Sequence, residues 1–435
     1  MNIRQLVLYR DFQYQPLFEK ICALTEGGED IYDCAGELID LAMKYGFEGN
    51  LWHCFLAFCL ANNENAYSTS SEIVGKVDGT LNDLMLHDCG IFKELFDRSP
   101  EAWGIKKDVR DIQTSMDRET ERILRDISDY HPSGCGQVFN KRIRDRIVEL
   151  SVSLEQAEDA AAFKDIITEF YREFGVGKFG LNKAFDVEEL TDGKAVIEPI
   201  TRIEHIYLED LVGYEEQKKA LTDNTEIFLS GLPANNVLLF GDAGTGKSSC
   251  VKAIANEYYD RGLRIIEVYK HQFKLLSDIL EQVKDRNYKF IIYMDDLSFE
   301  ESELEYKYLK AILEGGLGRR PQNVLIYATS NRRHLIRESF RDREETDEEL
   351  HTRDTVQEKL SLAARFGLSI YFGSPERKEF REIVKALAKR NGIRMPEAEL
   401  FEEAGRWELE HGGLSGRTAS QFIIHLQGMQ GMKQR

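Results

Sequence analysis

Val237-Leu-Leu-Phe-Gly-Asp-Ala-Gly-Thr-Gly-Lys-Ser-Ser249 is the stretch that decides the fold. Val237–Phe240 has the length and composition of a buried strand. Gly241–Ser248 satisfies G-x-x-x-x-G-K-[ST] at every fixed position, and Ser249–Tyr258 reads as the helix that should follow. Strand, glycine-rich turn and helix in that order form a phosphate loop. Glycines at 241, 244 and 246 permit backbone angles that turn successive N–H groups inward as an anion nest. The helix N-terminus adds its partial positive charge beneath the phosphates. Lys247 offers a mobile cation to β- and γ-phosphates, and Ser248 a hydroxyl to magnesium. The bland alternative is a glycine-rich turn that happens to precede a helix, and the complete motif in its required context argues against it. The candidate nucleotide-binding set is therefore Gly241, Asp242, Ala243, Gly244, Thr245, Gly246, Lys247, Ser248 and Ser249.

Outward from the loop, Arg264–Val268, Phe290–Met294, Val324–Ala328 and Leu368–Phe372 are further short apolar runs separated by helix-length spacers. Such alternation predicts an α/β domain, with a parallel five-stranded sheet and helices on both faces. Its expected span is 191–373. The third of these five strands delivers Asp295-Asp296 at its C-terminal edge, where open α/β sheets bind ligands. Asp295 is expected to hold magnesium through water, with Ser248, and Asp296 to orient or deprotonate the attacking water. Two acids at the start of a loop are ordinary singly, and less so as a pair beside this motif.

Residues 1–190 read as a helical N-terminal domain. Leu38, Leu41, Ala42 and Tyr45 follow the spacing of one helical face, as do Ile143, Ile147, Leu150 and Leu154. Residues 374–435 return to helical periodicity and form a small lid. Gly175-Val-Gly-Lys-Phe-Gly180 matches G-x-G-x-x-G, yet Phe163–Phe174 before it looks helical and an acidic stretch, Asp186–Glu189, follows. The dinucleotide fingerprint needs a preceding strand, so a hinge or interdomain loop is the better reading.

Over 435 residues, 42% are hydrophobic and 31% charged, the composition of a globular chain of two or three domains. The longest apolar run, Leu51–Ala61, is too short to cross a bilayer, and Met1–Tyr14 lacks the apolar core of a signal peptide. A cytoplasmic location without membrane partners is expected. The seven cysteines include no C-x-x-C pair, and most sit in apolar surroundings, as core residues do. A net charge of −19 argues against broad nucleic-acid binding without excluding a local basic groove.

From about residue 195 to 425 the chain resembles the AAA+ ATPases. Leu208-Glu-Asp-Leu-Val-Gly-Tyr214 resembles the segment that closes over adenine, which makes Val212 and Gly213 the implied base contacts. Asn323-Val-Leu-Ile-Tyr-Ala-Thr-Ser-Asn331 is similar to the sensor 1 strand, with Asn331 implied to position the hydrolytic water. Arg365, in Ala364-Arg-Phe-Gly367, resembles an arginine finger acting in trans on a neighbouring subunit. Arg332 and Arg333 are rivals for that role. Gly416-Arg-Thr-Ala419 resembles sensor 2, with Arg417 reaching the nucleotide from the lid. Two departures stand out. Asp296 occupies a position where relatives often carry glutamate, and Tyr269 one where they often carry a small polar residue that couples partner binding to the catalytic acid.

A closer resemblance is to a bacterial AAA+ family known only as a domain of unknown function. It rests on Pro233-Ala-Asn-Asn-Val-Leu-Leu239, Asp295-Asp-Leu-Ser-Phe-Glu300, Glu358-Lys-Leu-Ser361 and Ser415-Gly-Arg-Thr-Ala419. The implied cofactors are ATP and Mg2+, and an arginine finger implies a homo-oligomer. The favoured expectation is an ATPase that remodels a protein client. One alternative is a DNA-associated initiator or helicase loader, with Lys141, Arg142, Arg144 and Arg146 as a basic face. Asp145 and Glu149 interleave with those residues, so a solvated helix face is the preferred reading of that helix. Another alternative is a slow nucleotide-dependent switch. The acidic run Arg341–Leu350 reads as a solvated loop or exposed helix, or less readily as a docking site for a basic partner.

Overall fold

The computed structural model describes residues 3–24, 31–98, 118–132, 140–200, 203–299, 303, 305–314, 321–331, 335 and 362–433. Arg332, Arg333, Cys135, Arg341–Leu350 and Glu358–Ser361 lie outside the described residues. Two compact units emerge, Met1–Asn182 and Lys183–Arg435.

The first unit is built around the apolar run noted in the sequence. Leu51–Asn62 is a helix in which every residue from Leu51 to Ala61 is buried. It packs against the helices Ile31–Tyr45, Thr80–Phe96 and Lys141–Glu155. A helix apolar on all sides belongs in the middle of a bundle. Asn50 caps it by accepting from the His53 N–H at 3.2 Å. Asp88 is fully buried and accepts backbone N–H groups of Val7, Leu8 and Tyr9 at 2.7–3.2 Å, which ties the N-terminal segment to the core. The six described cysteines are all buried, and burial pushes the Cys54 thiol up to about 11 and that of Cys250 to about 12. Gly175-Val-Gly-Lys-Phe-Gly180 joins the helix Ala160–Phe174 to the short helix Gly177–Leu181, with no strand ahead of it. Among the described residues, no helix is long and apolar enough to cross a membrane.

The second unit holds a seven-stranded mixed sheet: β1 (Ala184–Glu189), β2 (Ala195–Pro199), β3 (Val237–Gly241), β4 (Leu263–Glu267), β5 (Lys289–Met294), β6 (Val324–Ser330) and β7 (Leu368–Phe372). Their order is β2-β1-β4-β5-β6-β3-β7, and every neighbouring pair is parallel except β1–β2. The five strands expected from the apolar runs are present as the parallel β4-β5-β6-β3-β7 block. The five-stranded count needs correction, because an antiparallel hairpin extends the β4 edge. Asp186–Glu189, read in the sequence as an acidic stretch, belongs to β1. Its charges obscure a strand whose Ala184, Phe185 and Val187 are buried. The turn signal was present in Thr191-Asp-Gly193: Gly193 has φ +82°, and the Leu190 N–H donates to the Lys194 carbonyl at 2.9 Å.

Leu239, Ile265, Ile291, Leu325 and Ile370 share one core cluster with Leu221 and Phe228 of the helix Glu215–Leu229 and Val251 and Ile254 of the helix Lys247–Tyr258. Leu238, Ile266, Ile292 and Ile326 alternate with them and are buried too, so both faces are covered. After β7 the helices Arg377–Arg390, Glu397–Glu410 and Gly416–Lys433 form a core of their own, which includes Phe380, Val384, Leu400, Phe422 and Ile423.

Candidate functional site

The phosphate loop leaves β3 between β6 and the edge strand β7, and glycine is required at its first position. Gly241 has φ +134°, and a Cβ there would lie 2.1 Å from the Phe372 carbonyl oxygen of β7. Gly244 and Gly246 also have positive φ, and Gly246 leads directly into the helix Lys247–Tyr258. Thr245 closes the loop by donating to the Asp242 carbonyl at 2.8 Å. The Asp242 carboxylate points the other way and accepts both N–H and Oγ–H of Ser374 at 2.8 Å. Those two bonds hold its carboxyl below the usual range.

Lys247 is 6% exposed and folds back over the loop. Its amine donates to the carbonyls of Gly241 (3.0 Å) and Asp242 (2.6 Å) and to Asn331 Oδ1 (3.1 Å). All three N–H donors are thereby used. Burial lowers its pKa from the ordinary value, against the opposing pull of Asp242, Asp296 and Asp295.

The two acids lie next to this amine. Asp295 Oδ1 accepts from Ser248 Oγ at 2.7 Å and from Thr329 Oγ1 at 2.5 Å. Burial works against its charge, but these bonds outweigh burial and hold the carboxyl below its ordinary range. Asp296 has φ +49°, a conformation that non-glycine residues rarely adopt and one that concentrates at functional sites. Its N–H donates to Thr329 Oγ1 at 2.9 Å, and its Oδ1 accepts from Asn331 Nδ2 at 2.8 Å. Asn331 thus bridges Lys247 to Asp296.

The lid reaches the loop through backbone. Ser415 Oγ accepts from the Thr418 N–H at 3.1 Å at the start of the helix Gly416–Lys433, and the Arg417 N–H donates to the Gly244 carbonyl at 3.2 Å. The Arg417 charge is close enough to oppose that of Lys247. Val212 packs on the lid core while Leu208 and Leu211 pack on the sheet core, so the 208–214 segment spans the two. Gly213 and Tyr214 both have positive φ, and the Tyr214 hydroxyl donates to the Gly373 carbonyl at 2.7 Å. Arg365 is directed elsewhere, and its guanidinium pairs with Glu314.

Four contributors escaped the sequence reading. Thr329 fixes both acids through one hydroxyl, and Ser374 braces Asp242. Lys218 is buried and donates to the Leu211 carbonyl at 2.8 Å beneath the 208–214 segment. Glu267, at the end of β4, has its pKa raised by burial and then by the charge of Asp295. Thr329 was open to detection, because it shares with Asn331 the two-residue period of a strand. Ser374 and Glu267 depend on which strands adjoin, and Lys218 on how the helix Glu215–Leu229 packs against the segment before it, neither of which local pattern gives.

Ser248 and Asp295 supply hard oxygen donors, and the adjacent Tyr293 hydroxyl is buried without a partner of ordinary hydrogen-bond geometry among the described residues. This donor set suits magnesium, which takes few protein ligands and keeps several waters.

Sheet order, phosphate loop and the acids at the strand ends define the class, that of the AAA+ P-loop ATPases. The chain belongs to the family described as "Protein of unknown function (DUF815)", which residues 181–430 match over more than half of the sequence. A stretch of 71 residues is 41% identical to the replication factor C large subunit of Staphylothermus marinus. That stretch covers 16% of this chain and 16% of the relative. Among solved structures, the Thermotoga maritima RuvB Holliday junction branch migration motor is similar at a TM-score of 0.37 and 16% identity. The likeness covers 52% of this chain and 66% of that one. A point mutant of the same protein gives a TM-score of 0.39 and 18% identity over 52% of this chain and 67% of its own.

Proposed function

We propose that this chain binds ATP with magnesium at Gly241–Ser249 and hydrolyses it, and that a cytoplasmic homo-oligomer couples this cycle to remodelling of a protein partner. The observation that carries the reading is the hydrogen-bond chain from Lys247 through Asn331 to Asp296, beside the Ser248–Asp295–Thr329 cluster. It joins a phosphate cation, a water-orienting amide, a base and a metal ligand set.

In this reading the loop N–H groups and the Lys247 amine hold the β- and γ-phosphates, with Arg417 approaching from the lid and Val212 and Gly213 lining the base. Ser248 and Asp295 hold magnesium, which neutralises charge on the phosphate oxygens. Asn331 and Asp296 orient a water in line with the γ-phosphorus. The water oxygen bonds to phosphorus as the bond to the β–γ bridging oxygen breaks, and the water proton passes to Asp296. Lys247 exchanges Asn331 and one loop carbonyl for phosphate oxygens, which frees the Asn331 oxygen from the amine.

Arg365 is assigned to the active site of a neighbouring copy. Specific ATPase activity is therefore expected to rise with protein concentration, and Arg365→Ala to flatten that rise while leaving ATP affinity unchanged. Phosphate release measured across a dilution series tests this. Strict proportionality of rate to protein, with full activity in Arg365→Ala, would overturn the assembly. ATP binding without phosphate release in a single turnover would instead favour the switch. The basic face offers the DNA-associated reading little support, because Arg144 pairs with Asp145 and Arg146 lies 4.2 Å above the Phe174 ring.

A further inference from the structure

Tyr293 and Tyr327 stand in register on adjacent strands, and only one of them is satisfied. The Tyr327 hydroxyl lies 2.8 Å from Thr225 Oγ1 and 3.2 Å from Asn224 Nδ2. Tyr293, only 3% exposed, has no partner for its hydroxyl at ordinary hydrogen-bond distance and angle among the described residues, although that group lies close to Ser248 and Asp295. Native proteins seldom leave a buried hydroxyl orphaned, because its lost hydration is not replaced. Side chains alternate along a strand, so Tyr293 shares a face with Asp295, two residues on. In β4, Glu267 is in register with Tyr293. An orphan donor is therefore flanked by two carboxylates at the place where the chain would hold its metal.

We propose that Tyr293 is a positioning residue of the metal site, its hydroxyl donating to a water in the hydration shell of the magnesium held by Ser248 and Asp295. The inference rests on the nucleotide site proposed above. Magnesium bound through few protein groups keeps several waters, and such waters are ordered by partners outside the ligand set. A water in this position accepts from the Tyr293 O–H and donates to Glu267, which gives the buried hydroxyl the partner it lacks. Tyr293 touches neither the phosphates nor the attacking water; it acts through the metal's shell.

The test is Mn2+ binding to the full chain saturated with a non-hydrolysable ATP analogue, with free Mn2+ read by electron paramagnetic resonance. Tyr293→Phe is expected to weaken Mn2+ binding by roughly tenfold or more and to leave nucleotide affinity in EDTA unchanged. Thermal unfolding in EDTA supplies a readout that a merely structural role would move the other way. Tyr293→Phe should melt at or above the wild-type temperature, because an unsatisfied hydroxyl is removed. Lower melting would show that the hydroxyl has a structural partner, and would overturn the inference. Wild-type Mn2+ affinity in Tyr293→Phe, alongside its loss in Asp295→Asn, would sink the role of Tyr293 alone. Undiminished Mn2+ binding in Asp295→Asn would sink the underlying metal site as well.

Discussion

Lys247→Ala is expected to weaken ATP binding by two to three orders of magnitude and to remove measurable turnover. A hydrogen bond to a charged group contributes about 1.5–3 kcal/mol, and the amine is set to make two of them to phosphate. Loss of about 3–4 kcal/mol corresponds to roughly 10²–10³ in affinity. The amine already has the required reach and direction, since it donates to Gly241, Asp242 and Asn331 at 2.6–3.1 Å. The same contacts predict a cost to the nucleotide-free protein, because truncation leaves the Gly241 and Asp242 carbonyls without this donor. Isothermal titration with ATP in magnesium measures the first effect and urea unfolding without nucleotide the second. Affinity within threefold of wild type would remove Lys247 from the phosphate site.

The second large effect is expected from Asp296→Asn: turnover falling by about 10²–10⁴, the usual contribution of a general base, with ATP affinity within a few-fold of wild type. The substitution separates chemistry from folding unusually well. Asn tolerates the left-handed conformation that residue 296 occupies at φ +49°, and its side-chain oxygen can still accept from Asn331 Nδ2. What it loses is the capacity to take a proton. Phosphate release and nucleotide binding on the same preparation decide the matter. Unaltered turnover would move the base elsewhere, and Glu267, at the end of the adjoining strand β4, is the next carboxylate to test. The trapped ATP-bound form also serves to recover a client.

What the sequence disclosed and what it hid divide along a physical line. Four of the five parallel strands were legible because each is buried on both faces and reads as a largely apolar run, and the edge strand β7 still offers Leu368, Ile370 and Phe372. The β1–β2 hairpin was not, because its outer positions carry Glu188, Glu189 and Asp192, and charge there masks the alternation of Phe185 and Val187. Gly241–Ser248 and Asp295-Asp296 declared themselves because backbone conformation and strand ends are local properties. Thr329 and Ser374 matter only through register, Thr329 by lying across from the end of β5 and Ser374 by following β7 past the loop. Arg365 shows the same limit. Its resemblance to an arginine finger implied a role across an interface, while within one chain it is paired with Glu314.

The braces on the phosphate loop set an order of events during synthesis. Asp242 is held by Ser374, 132 positions downstream, and Gly244 by Arg417, further still. A ribosome therefore exposes the complete glycine motif long before the residues that fix its shape have been made. The nascent loop has its sequence but lacks its outer supports, and nucleotide capture becomes a property of the finished chain. A chain ending at Phe372 carries every motif residue of the loop and both acids, yet should hold ATP more weakly than the full-length protein in the same titration. Equal affinity would show that the loop shapes itself. Weaker binding would make tight nucleotide capture a folding signal, withheld until the helix Gly416–Lys433 has docked.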